Sequence, residues 1–384
     1  MSGPALPAEA YAAALAALPG MGPARLAAIL RARPPGAAWR HVVGGRTWSE
    51  PAVAEALGAR APVLVDRWRA AAAAVDPAAV WAALVEAQVG VAVLGSPAYP
   101  PALAGDVEPP AVVFHRGAPE VLAAGPRVAV VGTRRCSSTG AGVAYELGRD
   151  LAAAGVTIVS GLAAGVDGAA HRGALAAEGA PPVGVVGTGL DVVYPPGQGA
   201  LWRAVAEAGV LLSEAPLGAR PERWRFPARN RIIAALADRV VVVESHRRGG
   251  SLHTVDEADR RGVDVLAVPG SVRNPAATGT NELLAEGRAP ACSAADVLLA
   301  IGLGGSAPPA PADGRPAPSA GDAAVLEAFG WQPATLDHLV LRTGRGVADL
   351  APALARLGDA GWISRQGGWY ERVAACGPVA GAPA

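Results

Sequence analysis

Seven short valine-rich runs recur between residues 89 and 270: VGVAVLG, VAVVG, VTIVSG, PVGVVG, VLLSE, VVVVE and DVLAVPG. They are apolar on consecutive rather than alternate residues, the pattern of strands covered on both faces. The segments between them supply the cover. In AGVAYELGRDLAAAG, Val143, Leu147 and Leu151 fall at helical spacing and Gly155 ends the helix. Strand alternating with helix predicts an α/β fold over residues 80–302, a doubly wound, Rossmann-like, mainly parallel sheet. Such a sheet binds ligands in the crevice beyond the carboxyl ends of its strands.

The flanks read differently. Residues 1–75 are helical in pattern, and LPGMGPARLAAIL (18–30) places Gly20 and Gly22 in a hairpin between two apolar stretches, like a helix-hairpin-helix or SAM-like module. Its glycines would expose backbone N–H groups to a DNA phosphate, unless the module is a packing unit with no ligand. Residues 303–321, LGGSAPPAPADGRPAPSAG, form a flexible linker. Over 322–376, DAAVLEAFG, TLDHLVLRTG and VADLAPALARLGDAGW read as three helices, and ISRQGGWYERV as a hairpin turning at Gly367 and Gly368. This is the layout of a winged helix. Its mixed charges, Asp337, Asp349 and Asp359 against Arg342, Arg345 and Arg356, favour protein contact or a structural role over DNA reading.

The 33 basic and 33 acidic residues cancel, which excludes a globally basic DNA-coating protein and leaves local patches to attract polyanions. Every basic residue is arginine. Cys136, Cys292 and Cys376 form no Cys-x-x-Cys pair, so neither zinc nor a disulfide framework is signalled, and a reduced cytoplasm is expected. No basic region precedes an apolar core at the N-terminus and no apolar run approaches a membrane span, so neither export nor a spanning segment is expected. The six histidines lack metal-ligand spacing, and no nucleophile has a base at suitable spacing. No catalytic residue, metal or cofactor is predicted.

Four segments carry anion-binding chemistry. In VAVVGTRRCSSTGAG (128–142), Gly132 turns the backbone off the strand, Thr133, Ser137, Ser138 and Thr139 offer hydroxyls, and Arg134 offers a guanidinium fork. Arg134 and Arg135 stand where a dinucleotide fingerprint needs its second glycine, and no Gly-Lys-Ser/Thr occurs, so neither NAD nor a P-loop nucleotide is supported. RPERWRFPARNRIIAAL (220–236) clusters Arg220, Arg223, Arg225, Arg229 and Arg231 at the start of a helix that Pro227 is suited to begin. Cations there oppose the macrodipole at about 0.3–1 kcal/mol each, so the cluster calls for an anion. Trp224 and Phe226 among them suit unstacked bases. ESHRRGGSLHTVDEA (244–258) adds Arg247, Arg248 and a Gly249-Gly250-Ser251 turn. SGLAAGVDGAAHRGAL (160–175) adds Gly161 and Gly165, with Asp167 as a helix N-cap rather than a catalytic carboxylate and His171 as a packing or hydrogen-bonding residue.

Together with YPPAL, EPPAVVFHRG, GTGLDVVYPPG, AVPGS and GTNELL, these ordered motifs resemble the DNA-processing protein family DprA, also called Smf, over nearly the whole chain. The resemblance implies an N-terminal SAM-like domain, a Rossmann-like centre and a C-terminal winged helix. It also implies a non-enzymatic, cytoplasmic, dimeric protein that binds single-stranded DNA and loads the recombinase RecA during natural transformation. The family's DNA-contacting loop corresponds to Gly132, Thr133 and Arg134, its Phe-Pro-x-Arg-Asn-Arg segment to Phe226, Pro227, Arg229, Asn230 and Arg231, and its Gly-Ser-Leu turn to Gly250, Ser251 and Leu252. The expected DNA-binding set is therefore Gly132, Thr133, Arg134, Ser137, Gly161, Gly165, Arg225, Phe226, Arg229, Asn230, Arg231, Gly250 and Ser251. This chain departs in YPPGQG, where the family has Tyr-Pro-x-x-Asn, and in its lack of lysine. Two rivals remain. One is a nucleoside-monophosphate phosphoribohydrolase using Glu257 in an incomplete glycine loop; the other is a double-stranded DNA regulator using the winged helix.

Overall fold

The structure, a computed structural model, describes residues 6–46, 51–123, 125–304, 315–330 and 333–373. Cys376 and linker residues 305–314 lie outside them. Six helices come first: α1 (Ala8–Ala16), α2 (Pro23–Ala32), α3 (Pro35–Val43), α4 (Pro51–Leu57), α5 (Ala61–Ala72) and α6 (Pro77–Glu86). Their alanine- and leucine-rich faces close around Trp39 and Trp68. Gly20, at φ 75°, makes the turn between α1 and α2.

The central region runs β1 (Gly90–Val93), α7 (Pro101–Ala104), β2 (Val112–Gly117), β3 (Arg127–Val131), α8 (Ser138–Ala153), β4 (Thr157–Ser160), α9 (Val166–Ala176), β5 (Val183–Val185), α10 (Gly199–Ala208) and β6 (Val210–Ser213). It continues through α11 (Arg225–Leu236), β7 (Arg239–Val242), α12 (Leu252–Asp259), β8 (Val265–Ala267), α13 (Thr278–Ala285), β9 (Ala289–Pro290) and α14 (Ala294–Ala300). The nine strands are ordered β1-β2-β6-β5-β4-β3-β7-β8-β9. From β6 to β9 all neighbours are parallel, whereas β1 and β2, and β2 and β6, pair antiparallel. The mainly parallel sheet is as expected. The valine pattern nevertheless misses two strands: β2, whose two valines give way to Phe114, His115 and Arg116, and the two-residue β9.

Every residue of β4, β5 and β6 is buried, which explains their consecutive apolar residues. Fully burying one such valine contributes about 1.5–3 kcal/mol. The C-terminal region contains α15 (Ala320–Phe329), β10 (Ala334–Thr335), α16 (Leu336–Thr343), α17 (Val347–Asp359), β11 (Ile363–Gln366) and β12 (Trp369–Arg372). Its core centres on Phe329, Leu339 and Leu354, separate from the other cores. The hairpin expected at Gly367 and Gly368 is the wing. Its Glu371 accepts hydrogen bonds from Ser138 and Thr139 at the start of α8.

α9 carries His171 into the interior, where the side chain has no solvent exposure. Among the described residues neither ring nitrogen has a hydrogen-bond partner, and burial pushes the pKa down to about 4, the Ser160 backbone favouring the charged form and the nearby Arg229 and Arg172 opposing it. His171 is a packing residue, neutral at pH 7. Because its folded pKa lies below its unfolded value near 6.5, the unfolded chain takes up the proton first, and stability falls as pH drops from about 6.5 towards 4. We predict a loss of about 2 kcal/mol from this residue between pH 7 and pH 5. Urea titrations at the two pH values should show the acid-side loss reduced by that amount in His171→Phe.

Candidate nucleic-acid interface

The chain leaves β3 towards β4, β5 and β6, then returns to place β7 on β3's other side. The loops after β3 and β7 therefore diverge, and a groove of about 720 Å³ opens between them. The first turns of α11 form one wall. Arg223, Phe226, Pro227 and Asn230 follow i, i+3, i+4, i+7 spacing and line the groove, whereas Trp224, Arg225 and Ala228 turn to the far side of the helix.

The groove is cationic although the chain is neutral overall. Arg134, Arg135, Arg223 and Arg248 line it and are exposed. Among the described residues none of these four is paired with a carboxylate. The one acidic residue in the lining, Asp167, is buried. Beside the cations sits an aromatic surface. Phe226 lies 5.2 Å from Tyr194 between ring centroids, and the Arg134 guanidinium stands 5.0 Å from the Phe226 centroid. Guanidinium forks next to open rings can hold phosphates and bases of one strand together.

Arg229 forms the floor. Its Nη1 donates to the carbonyls of Gly161, at 2.7 Å, and Val185, and its Nε donates to Asn230 Oδ1 at 3.1 Å. Burial pushes its pKa down to about 10, opposed by the charge of Asp167. Burial likewise raises the Asp167 pKa, while Arg229 and backbone hydrogen bonds involving Ala163, Gly132 and Gly161 favour the carboxylate. Gly161 is required because a Cβ there would collide with the guanidinium. Gly165, at φ 80°, lies so close to the Thr133 carbonyl that a side chain has no room.

Several local expectations need correction. Asp167 is not the N-cap of α9. Gly165 holds that place, and Asp167 is the second helical residue, turned inwards. Helix α11 begins at Arg225, not Pro227, and the proline is tolerated at the third position because that N–H has no intrahelical partner. Nor does the arginine cluster as a whole await an outside anion. Arg231 Nη2 donates to Glu214 Oε1 at 2.5 Å and its Nη1 to the Glu108 carbonyl at 2.6 Å, both away from the groove. Arg225 stacks on Trp224, 4.6 Å from its centroid, and pairs with Glu222.

Of the expected residues, the structure gathers Gly132, Thr133, Arg134, Phe226, Arg229, Asn230, Gly250 and Ser251 around the groove. Gly161 adjoins it through Arg229, and Gly165 shapes the turn behind Thr133. Arg225, Arg231 and Ser137 are not brought to it. Ser137 caps α8 by accepting from Gly140 N at 3.0 Å and donates to Glu244 Oε1 at 2.6 Å. That carboxylate, also bound by Ser137 N and Asn274, places an internal anion at the start of α8, where a dinucleotide phosphate would sit in a Rossmann domain. The expected DNA-binding set left out Tyr194, Arg135, Arg223 and Arg248, although Arg223 and Arg248 stand in the anion-binding segments. The i, i+3, i+4, i+7 spacing of Arg223, Phe226, Pro227 and Asn230 would have set Arg223 on the same face as the expected residues.

Residues 90–302 match the family described as DNA recombination-mediator protein A, and residues 307–368 match the DprA winged helix domain. The chain is 37% identical over 219 residues to the DNA processing protein DprA of Bacillus subtilis, covering 57% of this chain and 73% of that one. It is 35% identical over 283 residues to protein Smf of Escherichia coli, covering 72% and 75%. The structure of DNA processing protein A from Streptococcus pneumoniae superposes with a TM-score of 0.61 at 32% identity, covering 76% of this chain and 96% of that one. DNA processing protein A from Helicobacter pylori, solved for its single-stranded DNA binding mode, gives 0.50 at 28%, covering 55% and 95%. With residues 90–302 and 307–368 matched in order by these two descriptions, the chain belongs to the DNA recombination-mediator protein A (DprA) family.

Proposed function

We propose that the groove binds single-stranded DNA and that the protein, as a cytoplasmic homodimer without catalytic activity of its own, delivers the strand to RecA during recombination of incoming DNA. The observation that carries this reading is the set of four exposed arginines, none with a carboxylate partner among the described residues, beside Phe226 and Tyr194 in a protein of zero formal net charge. Arg134, Arg135, Arg223 and Arg248 follow a backbone, and the rings accept bases that a duplex keeps stacked. The single-strand binding mode described for the Helicobacter pylori relative supports the same assignment.

The two rivals are weaker on specific grounds. Glu257, the carboxylate a phosphoribohydrolase would need, is paired with Arg260 and Arg261 and does not line the groove. On the winged helix, the exposed positions of α17 include Val347, Ala348, Asp349, Ala351, Pro352 and Asp359, and its Arg356 is bound to Asp322. Such a surface has little with which to hold duplex phosphates.

Labelled single- and double-stranded oligonucleotides of equal length, titrated at two salt concentrations, test the proposal. The single strand should bind more tightly, with a log-log salt slope of about −0.7 per phosphate neutralised. Equal or tighter duplex binding would overturn it.

Three substitutions separate the groove from its supports. Arg134→Ala should weaken binding to every sequence and make the salt slope shallower, whereas Phe226→Ala should lose affinity, about 1–3 kcal/mol, at an unchanged slope. Arg231→Ala should instead lower stability by about 3–5 kcal/mol, because Glu214, largely shielded from solvent, is left without its partner. Denaturant midpoints beside binding curves distinguish the two classes of effect.

A further inference from the structure

The far side of α11 borders a second opening. A cleft of about 550 Å³ separates the turn between α1 and α2 from the segment entering α11, with Gly20, Gly22, Arg25, Gly218, Trp224 and Arg225 in its walls. Trp224 is 45% exposed, among the largest apolar side chains left open to solvent. It is also held in place. Its Nε1 donates to Glu222, and the Arg225 guanidinium covers one face at 4.6 Å from the centroid. Arg225 Nε is itself buried without a hydrogen-bond partner among the described residues. Across the cleft, Arg25 Nη1 donates to the Gly20 carbonyl at 2.7 Å. The first amides of α2 have no side-chain cap.

A fixed, half-open indole beside two guanidinium groups is the chemistry of a base-stacking platform. Its position says which strand would use it. Arg223 and Phe226 line the groove, and Trp224 and Arg225, between them in sequence, line the cleft, so the turn entering α11 together with its first residues forms the ridge separating the two. A strand leaving the groove at Phe226 has to cross less than one helical turn to reach Trp224.

We propose that the cleft is a second subsite for single-stranded nucleic acid, occupied by the continuation of the strand held in the groove, with one base on the free face of Trp224 and backbone phosphate near Arg25. Glu222 orients the indole and Arg225. The N-terminal helices thereby act as a second wall for the ligand. This inference rests on the groove's holding a single strand, as proposed above.

The test uses the full chain and two labelled oligothymidylates, one of about 5 nucleotides that the groove alone can hold and one of about 20 that reaches the cleft. Trp224→Ala should weaken the long probe about 5- to 150-fold, the equivalent of one stacked base, and leave the short probe unchanged. Trp224→Phe should retain most of the long-probe affinity. Arg25→Ala should make the salt slope shallower by about 0.7 for the long probe only. An equal loss on both probes, or no loss on the long one, would overturn the subsite. If the short probe binds the unmodified protein but ignores Arg134→Ala, the groove assignment has failed instead.

Discussion

The buried Arg229 guanidinium is the interaction on which the site depends. It leaves the first turns of α11 and ends on the carbonyls of Gly161, just beyond β4, and Val185, the last residue of β5, with Asp167 as its nearby counter-charge. Bringing two charges out of water costs several kcal/mol per ion before their attraction and hydrogen bonds offset it. The arrangement is stable because carbonyls and backbone amides satisfy both groups. It fixes where α11 lies over the sheet edge, and thereby where Phe226 and Asn230 face.

Two further carboxylates occupy anion positions from within the protein. Glu214 takes Arg231 and Glu244 takes Ser137 and the start of α8, so the anion positions that a Rossmann domain and a basic helix would offer are filled from within. Arg134, Arg135, Arg223 and Arg248 have no such partner among the described residues, and all four open onto one groove. The local positive field thus arises from the placement of carboxylates rather than from any excess of arginine, consistent with a formal net charge of zero.

Much of this was legible in the sequence. Seven consecutive-apolar runs became strands because a buried strand must be apolar on both faces. The α1–α2 turn at Gly20 and the wing at Gly367 and Gly368 were legible because the glycines there take positive φ, which other residues rarely adopt. The ordered motifs from VAVVGTRR to GGSLHT marked the loops that surround the groove. β2 was hidden because its valine pair runs directly into Phe114, His115 and Arg116, and β9 because it is only two residues long.

The rotation of each side chain about its element was not legible. Arg229, Arg231 and Arg225 look equivalent in RWRFPARNR, yet one forms the groove floor, one binds Glu214 and one stacks on Trp224. The partners that decide this, Gly161, Val185, Glu108, Glu214 and Glu244, lie on other strands and loops and meet α11 or α8 only once the sheet has formed. Sequence by itself determined the sheet, the helical flanks and the loops bearing the anion-binding residues, since apolar periodicity and turn chemistry are local properties. Tertiary structure alone decided which arginines face a ligand, because a charge becomes free or committed only through neighbours distant in the chain.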